Sequence, residues 1–171
     1  YTHADGIIGN FDIGVKGEYD IKLEEDAKQF VVIESKMRSN ISNSVSNAST
    51  YDQIARTCAC MVNLMPDSTM LFSALYIITP KKNPFLKNIE KKASKKNIIL
   101  EVEKRNKQFL ENTNKNFSLE KFKKLIERIE VKILFWGDII KYIKDKNFVE
   151  SEMIHDFYQL CLKYNNLIEP E

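Results

Sequence analysis

The chain has 171 residues, 43% of them hydrophobic and 29% charged, with a formal net charge of +2. That length suits one domain with a real core, and no apolar run approaches the roughly 20 residues a membrane span needs. Three cysteines, Cys58, Cys60 and Cys161, make no disulfide framework; with no C-x-x-C pair, and with His3 far from His155, a zinc site is not expected.

The absence of a secretory apolar segment and of a disulfide pattern points to the cytoplasm and to no membrane partner. The chain opens on Tyr1 rather than Met, which leaves room for a segment upstream of a single domain spanning residues 1–171.

In chain order, residues 5–14 (DGIIGNFDIG) read as a strand with glycine irregularities. Residues 17–23 (GEYDIKL) alternate Tyr19, Ile21 and Leu23 against Glu18, Asp20 and Lys22, the period of a second short strand. QFVVIESKM, residues 29–37, holds four consecutive apolar residues and is the strongest strand signal. Residues 38–50 are rich in Ser, Asn and Thr and read as a loop.

A helix is expected from about Tyr51, capped by Thr50, with Ile54, Cys58, Met61 and Met65 facing the core and Gln53, Arg56 and Thr57 elsewhere on its surface. Pro66 lies just past its end. Residues 69–79 read as another buried strand, 84–128 as lysine-rich helical segments, and 131–136 (VKILFW) as a short strand. A helix opens at GDIIKYIKD, and 150–165 form a last amphipathic helix. The early strands have short connectors and should pair antiparallel, whereas the strands after helices should join in parallel through crossovers. The expected fold class is α/β, a mixed central sheet flanked by helices.

The charge is divided unevenly. Residues 1–79 hold 6 basic and 10 acidic side chains, and residues 80–171 hold 20 and 14. Between Lys81 and Lys96 there are seven lysines and one glutamate, Glu90. Such a stripe, starting at Lys81 and Lys82, is either a solvated helix face or a surface that attracts a polyanion.

Strand geometry puts Glu34 and Lys36 on one face, roughly 7 Å apart along the chain. Two readings follow: a salt bridge closing a strand, or part of a catalytic set. A hairpin register with Leu23 opposite Val31 and Ile21 opposite Ile33 makes two apolar pairs and sets Asp20 opposite Glu34. Asp5 and Asp12 are the other acids in reach. Paired carboxylates repel, and a hard divalent cation relieves that repulsion and suits hydrolysis of a phosphodiester.

YDIKL around Asp20, VVIESK from Val31 to Lys36 and YDQIAR from Tyr51 together resemble the PD-(D/E)xK nuclease superfamily, of restriction-endonuclease-like fold. The resemblance covers roughly residues 1–80. Tyr19 stands where the motif name has proline. The resemblance implies that Asp20, Glu34 and the backbone carbonyl of Ser35 hold Mg²⁺, with Mn²⁺ able to substitute. It also implies that Lys36 assists the attacking water and that Gln53 orients the lysine, water or phosphate.

Arg38 and Arg56 are candidates for phosphate contacts, a guanidinium matching phosphate bidentately. Arg56 alternatively pairs with Asp52, its i−4 neighbour. Trp136 reads as core rather than as a stacking platform. The expected partner is DNA, with other subunits of a larger complex or a second copy of the chain as further partners. The expected activity is that of a metal-dependent deoxyribonuclease in restriction or anti-phage defence; the alternative is a catalytically inactive nucleic-acid-binding or assembly module of the same fold.

Overall fold

The structure, a computed structural model, describes residues 4–14, 21–42, 51–65, 71–112, 118–146 and 148–167. Asp20, Thr50, Pro66 and residues 43–50, most of the stretch expected as a loop, lie outside the described residues.

Two sheets form. The larger has the order β1 (Gly6–Gly9), β4 (Gln29–Ser35), β5 (Phe72–Thr79), β6 (Ile129–Phe135). β1 runs antiparallel to β4, and β4, β5 and β6 run parallel to one another. β2 (Phe11–Ile13) and β3 (Ile21–Leu23) make a separate antiparallel pair. The mixed α/β sheet expected from the sequence is present, and so are its parallel crossovers.

The hairpin register expected from the sequence is not. Ile7 and Ile8 of β1, not Ile21 and Leu23, lie opposite Val32 and Val31, while Ile21 and Leu23 face Ile13 and Phe11. Residues 6–13 and 21–35 thus form one ribbon that bends where Gly9 and Asn10 meet the Glu24–Lys28 connector. The bend needs glycine: a Cβ at Gly9 would lie 2.6 Å from the carbonyl oxygen of Gln29.

Helix α1 (Gln53–Leu64) crosses from β4 to β5. Asp52, rather than Thr50, is its cap: the Asp52 carboxylate accepts from the Ala55 N–H at 2.8 Å, so the helix starts at Gln53. Between β5 and β6 come α2 (Leu86–Ala93), α3 (Lys95–Asn112) and α4 (Leu119–Ile126). α5 (Trp136–Asp145) follows β6 directly, and α6 (Ser151–Tyr164) ends the described chain. Trp136, expected as the end of a strand, is the first residue of α5; it is half-buried and packs with Ile140, as a core residue would.

One face of the sheet supplies Phe30 and Val32 of β4 and Leu75 and Ile77 of β5 to the main core. Ile54, Cys58 and Met61 of α1, Ile98 and Val102 of α3, and Phe122, Leu125 and Ile126 of α4 close over them. Ile54, Cys58, Met61 and Met65 are buried as their spacing predicts. Thr57, expected at the surface, is buried too, because α3 and α4 both pack against α1. A second cluster joins Ile140, Tyr158, Leu162 and Leu167, with Met37 against it. Among the described residues, no helix is long and apolar enough to cross a membrane.

Candidate active site

Side chains alternate along β4, so Glu34 and Lys36 continue the row of Phe30 and Val32, on the face covered by α1. The row therefore runs from apolar core into a carboxylate and an ammonium at the carboxyl end of the strand. Glu34 is only 1% exposed. Its Oε2 accepts from Gln53 Nε2 at 2.7 Å and lies 3.6 Å from Lys36 Nζ. Its Oε1 is buried and has no hydrogen-bond partner among the described residues. The first turn of α1 is what delivers Gln53, and the Gln53 backbone N–H is in turn held by the Ser42 carbonyl at 3.2 Å.

The second carboxylate is Asp5. Gly6 pairs with Ile33, so one step further along the ribbon Asp5 falls opposite Glu34. Its backbone N–H donates to the Ile33 carbonyl at 3.0 Å, and its Oδ2 accepts from the Ser35 N–H at 2.6 Å. Asp5 is exposed, so its carboxylate opens the site to solvent. Burial raises the Glu34 pKa above the ordinary carboxylate value; Lys36 pulls it down, Asp5 pushes it up, and the Gln53 hydrogen bond lowers it.

Asp5 thus occupies the position across the ribbon that the expected register gave to Asp20. Asp12 sits in the other sheet opposite Lys22. Ile21, next to Asp20 in sequence, pairs with Ile13, eight residues beyond Asp5 on the same ribbon arm. Asp5 could have been found from the sequence by pairing GIIG, rather than IKL, with FVVI.

Two further residues went unnoticed in the sequence. Thr79 and Asn83 are buried behind Lys36. The Thr79 hydroxyl donates to the Lys36 carbonyl at 2.7 Å, and Asn83 Nδ2 reaches the Lys36 and Ser39 carbonyls at 3.2 and 3.3 Å and the Thr79 hydroxyl at 2.9 Å. The Lys36 N–H donates to Ile78 O at 2.8 Å. The backbone that carries the lysine is therefore clamped on both sides. The turn-forming run TPKKNP, residues 79–84, was the available signal.

The arginines divide. Arg38 is exposed, and its Nη1 donates to the Asn165 carbonyl at 3.1 Å, at the C-terminal end of α6, where a cation suits the helix dipole. Arg56, one turn beyond Gln53 on α1, is half-buried, and its Nε has no hydrogen-bond partner. It does not pair with Asp52, whose oxygens take the Ala55 N–H and, at 3.4 Å, Asn97 Nδ2. Lys81 and Lys82 are exposed just past β5, at the same end of the sheet as Lys36; Lys81 pairs with Asp138 at 2.7 Å and sits over the Phe135 ring.

The donor set fits a hard cation. It offers two carboxylates on facing strands, one with a buried oxygen that has no partner among the described residues. Among the described residues no group of three His, Cys, Asp or Glu side chains gathers anywhere. Two carboxylates suffice for Mg²⁺, which keeps several waters and takes its remaining ligands from substrate phosphate and backbone carbonyls, such as that of Ser35. Comparison with protein-family models, with curated proteins and with solved structures found no match.

Proposed function

We propose that the chain is a metal-dependent nuclease of restriction-endonuclease-like type, hydrolysing phosphodiester bonds in DNA. The observation that carries this reading is Glu34: a buried carboxylate with one oxygen on Gln53 and Lys36 and the other without a partner, facing a second acid across the ribbon. A carboxylate serving only to close a salt bridge has no need of Asp5 opposite it, since that neighbour makes its charge harder to hold.

Asp5 and Glu34, with the Ser35 carbonyl, would hold the cation, Asp5 taking the role that the sequence reading gave to Asp20. Mg²⁺ or Mn²⁺ bound there would supply positive charge at the scissile phosphate and would acidify a water. Lys36, held rigid by Thr79 and Asn83, orients that water and offsets the charge that develops on the phosphate. Gln53 fixes Glu34 in place and keeps the end of α1 at the site. Arg56 offers a guanidinium to the substrate backbone, and Lys81, Lys82 and the stripe to Lys96 supply sequence-independent attraction. Nothing in these residues reads base edges, and restriction or defence against foreign DNA remains part of the proposal only as the setting in which such chemistry is used.

The test is supercoiled plasmid incubated with Mg²⁺ or Mn²⁺ and the wild type, Glu34→Gln or Asp5→Asn. Cutting by the wild type and its loss in both variants is the expected result. A wild type that cuts with neither metal, yet still shifts DNA in a salt-sensitive manner, would leave the inactive binding module as the reading.

A further inference from the structure

The outer face of α6 is unlike the rest of the surface. Tyr158 and Leu162, one turn apart, point inward and are buried with Ile140. On the opposite face Met153, Phe157, Leu160 and Tyr164 stand 67%, 67%, 50% and 82% exposed. Their spacing of four, three and four residues is that of the a and d positions of a two-helix seam. At 3.6 residues per turn the four fall within an arc of about 60°. Phe148 and Val149, which lead into α6, are 54% and 94% exposed.

We infer that this face is a homodimer interface, in which α6 of two copies pairs antiparallel about a two-fold axis. Two observations select a second copy as the occupant. The first is area. With fully exposed aromatics presenting roughly 150–250 Å² each, the four seam residues leave on the order of 500 Å² per copy, or about 1,000 Å² across the pair, the size a specific interface must clear. Patches above a few hundred Å² are uncommon on monomers.

The second observation is charge. One flank of the seam carries Asp156 in the first half of the helix and Lys163 in the second, both exposed. An antiparallel two-fold brings that same flank of both helices together head to tail, so Asp156 of each copy runs along Lys163 of the other. It also opposes the two helix dipoles. A parallel pair would set this flank against Ile154 and Cys161, which offer no charge.

The seam faces away from Met37, which packs on the inner side of the α5–α6 pair. Pairing therefore leaves the Glu34–Lys36 end of the sheet uncovered, and the dimer stands or falls independently of nuclease activity.

Sedimentation equilibrium of the chain over a concentration series reads the mass. The expected result is a dimer for the wild type and a monomer for Phe157→Asp/Leu160→Asp, with unchanged circular dichroism because both residues lie on the outer face. Asp156→Lys and Lys163→Asp should each weaken the dimer, by on the order of tenfold, and the double swap should restore it. A wild type that stays monomeric up to about 100 µM, weaker than interfaces of this area reach, overturns the inference. So does a dimer that survives the double aspartate variant, and failure of the swap to restore affinity removes the antiparallel pairing.

Discussion

Asp52 offers a direct reading of how burial and capping compete at the start of α1. Its side chain is 3% exposed, accepts from the Ala55 N–H at 2.8 Å and lies near Lys92, whose Nζ is held by the Ile41 carbonyl at 3.1 Å. Burial raises its pKa above the usual 3.8, opposed by the Ala55 N–H and by Lys92. A carboxyl whose folded pKa is raised binds its proton more tightly in the native chain. Stability therefore falls as pH rises from 3.8 through the folded value, and is flat above it.

Asp52→Asn keeps an oxygen for Ala55 and has no charge to desolvate; at neutral pH it should match or exceed the wild type, by up to about 1 kcal/mol, and lose this part of the pH slope. Asp52→Ala strips the cap and leaves a buried N–H without a partner, at a cost of about 2 kcal/mol. For a domain of this size that is a fall of roughly 4–8 °C in Tm. Urea unfolding followed by circular dichroism, across a pH series from acid to neutral, measures both variants. If Asp52→Asn loses as much as Asp52→Ala at neutral pH, the ionised cap is net favourable and the desolvation reasoning is wrong.

Lys36→Ala removes the cation that pairs with a nearly inaccessible carboxylate, and should cost about 2–4 kcal/mol at neutral pH, with most of the loss recovered as acid protonates Glu34. Equal losses at acid and neutral pH would show that the lysine contributes packing rather than charge. Asn83→Ala leaves Lys36 O and Ser39 O each short of a donor and should lower stability by about 1–3 kcal/mol. If plasmid cleavage is the activity, its rate should fall further in this variant than substrate affinity does, because the lysine loses its rigid support; an unchanged rate in folded protein would deny Asn83 that part.

What the sequence made legible was local. Four apolar residues before Glu34 mark a strand buried on both faces, and β4 is that strand. The spacing of Ile54, Cys58, Met61 and Met65 marks the buried face of α1, and Glu34 lies against both Lys36 and Gln53, all three singled out in the sequence. What failed was the choice of partner strand. Pairing β4 with residues 18–24 makes two apolar cross-strand pairs, but GIIG makes them equally well with Val31 and Val32. Periodicity cannot rank two registers that both bury isoleucine; the close approach of Gly9 to the Gln29 carbonyl, which only glycine allows, belongs to the pairing of GIIG with β4. Thr57 was misplaced for a similar reason, since a single helix does not reveal that both α3 and α4 will cover it.

The energetics of the site argue that it is kept for something other than stability. A buried ion pair roughly breaks even against well-packed apolar residues, and only when every remaining lone pair is satisfied. Here Glu34 Oε1 is not satisfied, and Asp5 adds a second negative charge across the ribbon. A buried acceptor left without a partner costs about 1–3 kcal/mol, and more when it is charged. Meanwhile the backbone behind Lys36 is over-determined, with its carbonyl taking both Thr79 and Asn83 and its N–H bound to Ile78. Rigid support around an electrostatically unfavourable centre is what the proposed cation site requires. On that ground Glu34→Gln should leave the metal-free fold no less stable at neutral pH while removing its response to divalent cations. A thermal melt with and without Mn²⁺ would show it, and a variant that Mn²⁺ stabilises as strongly as the wild type would place the cation elsewhere.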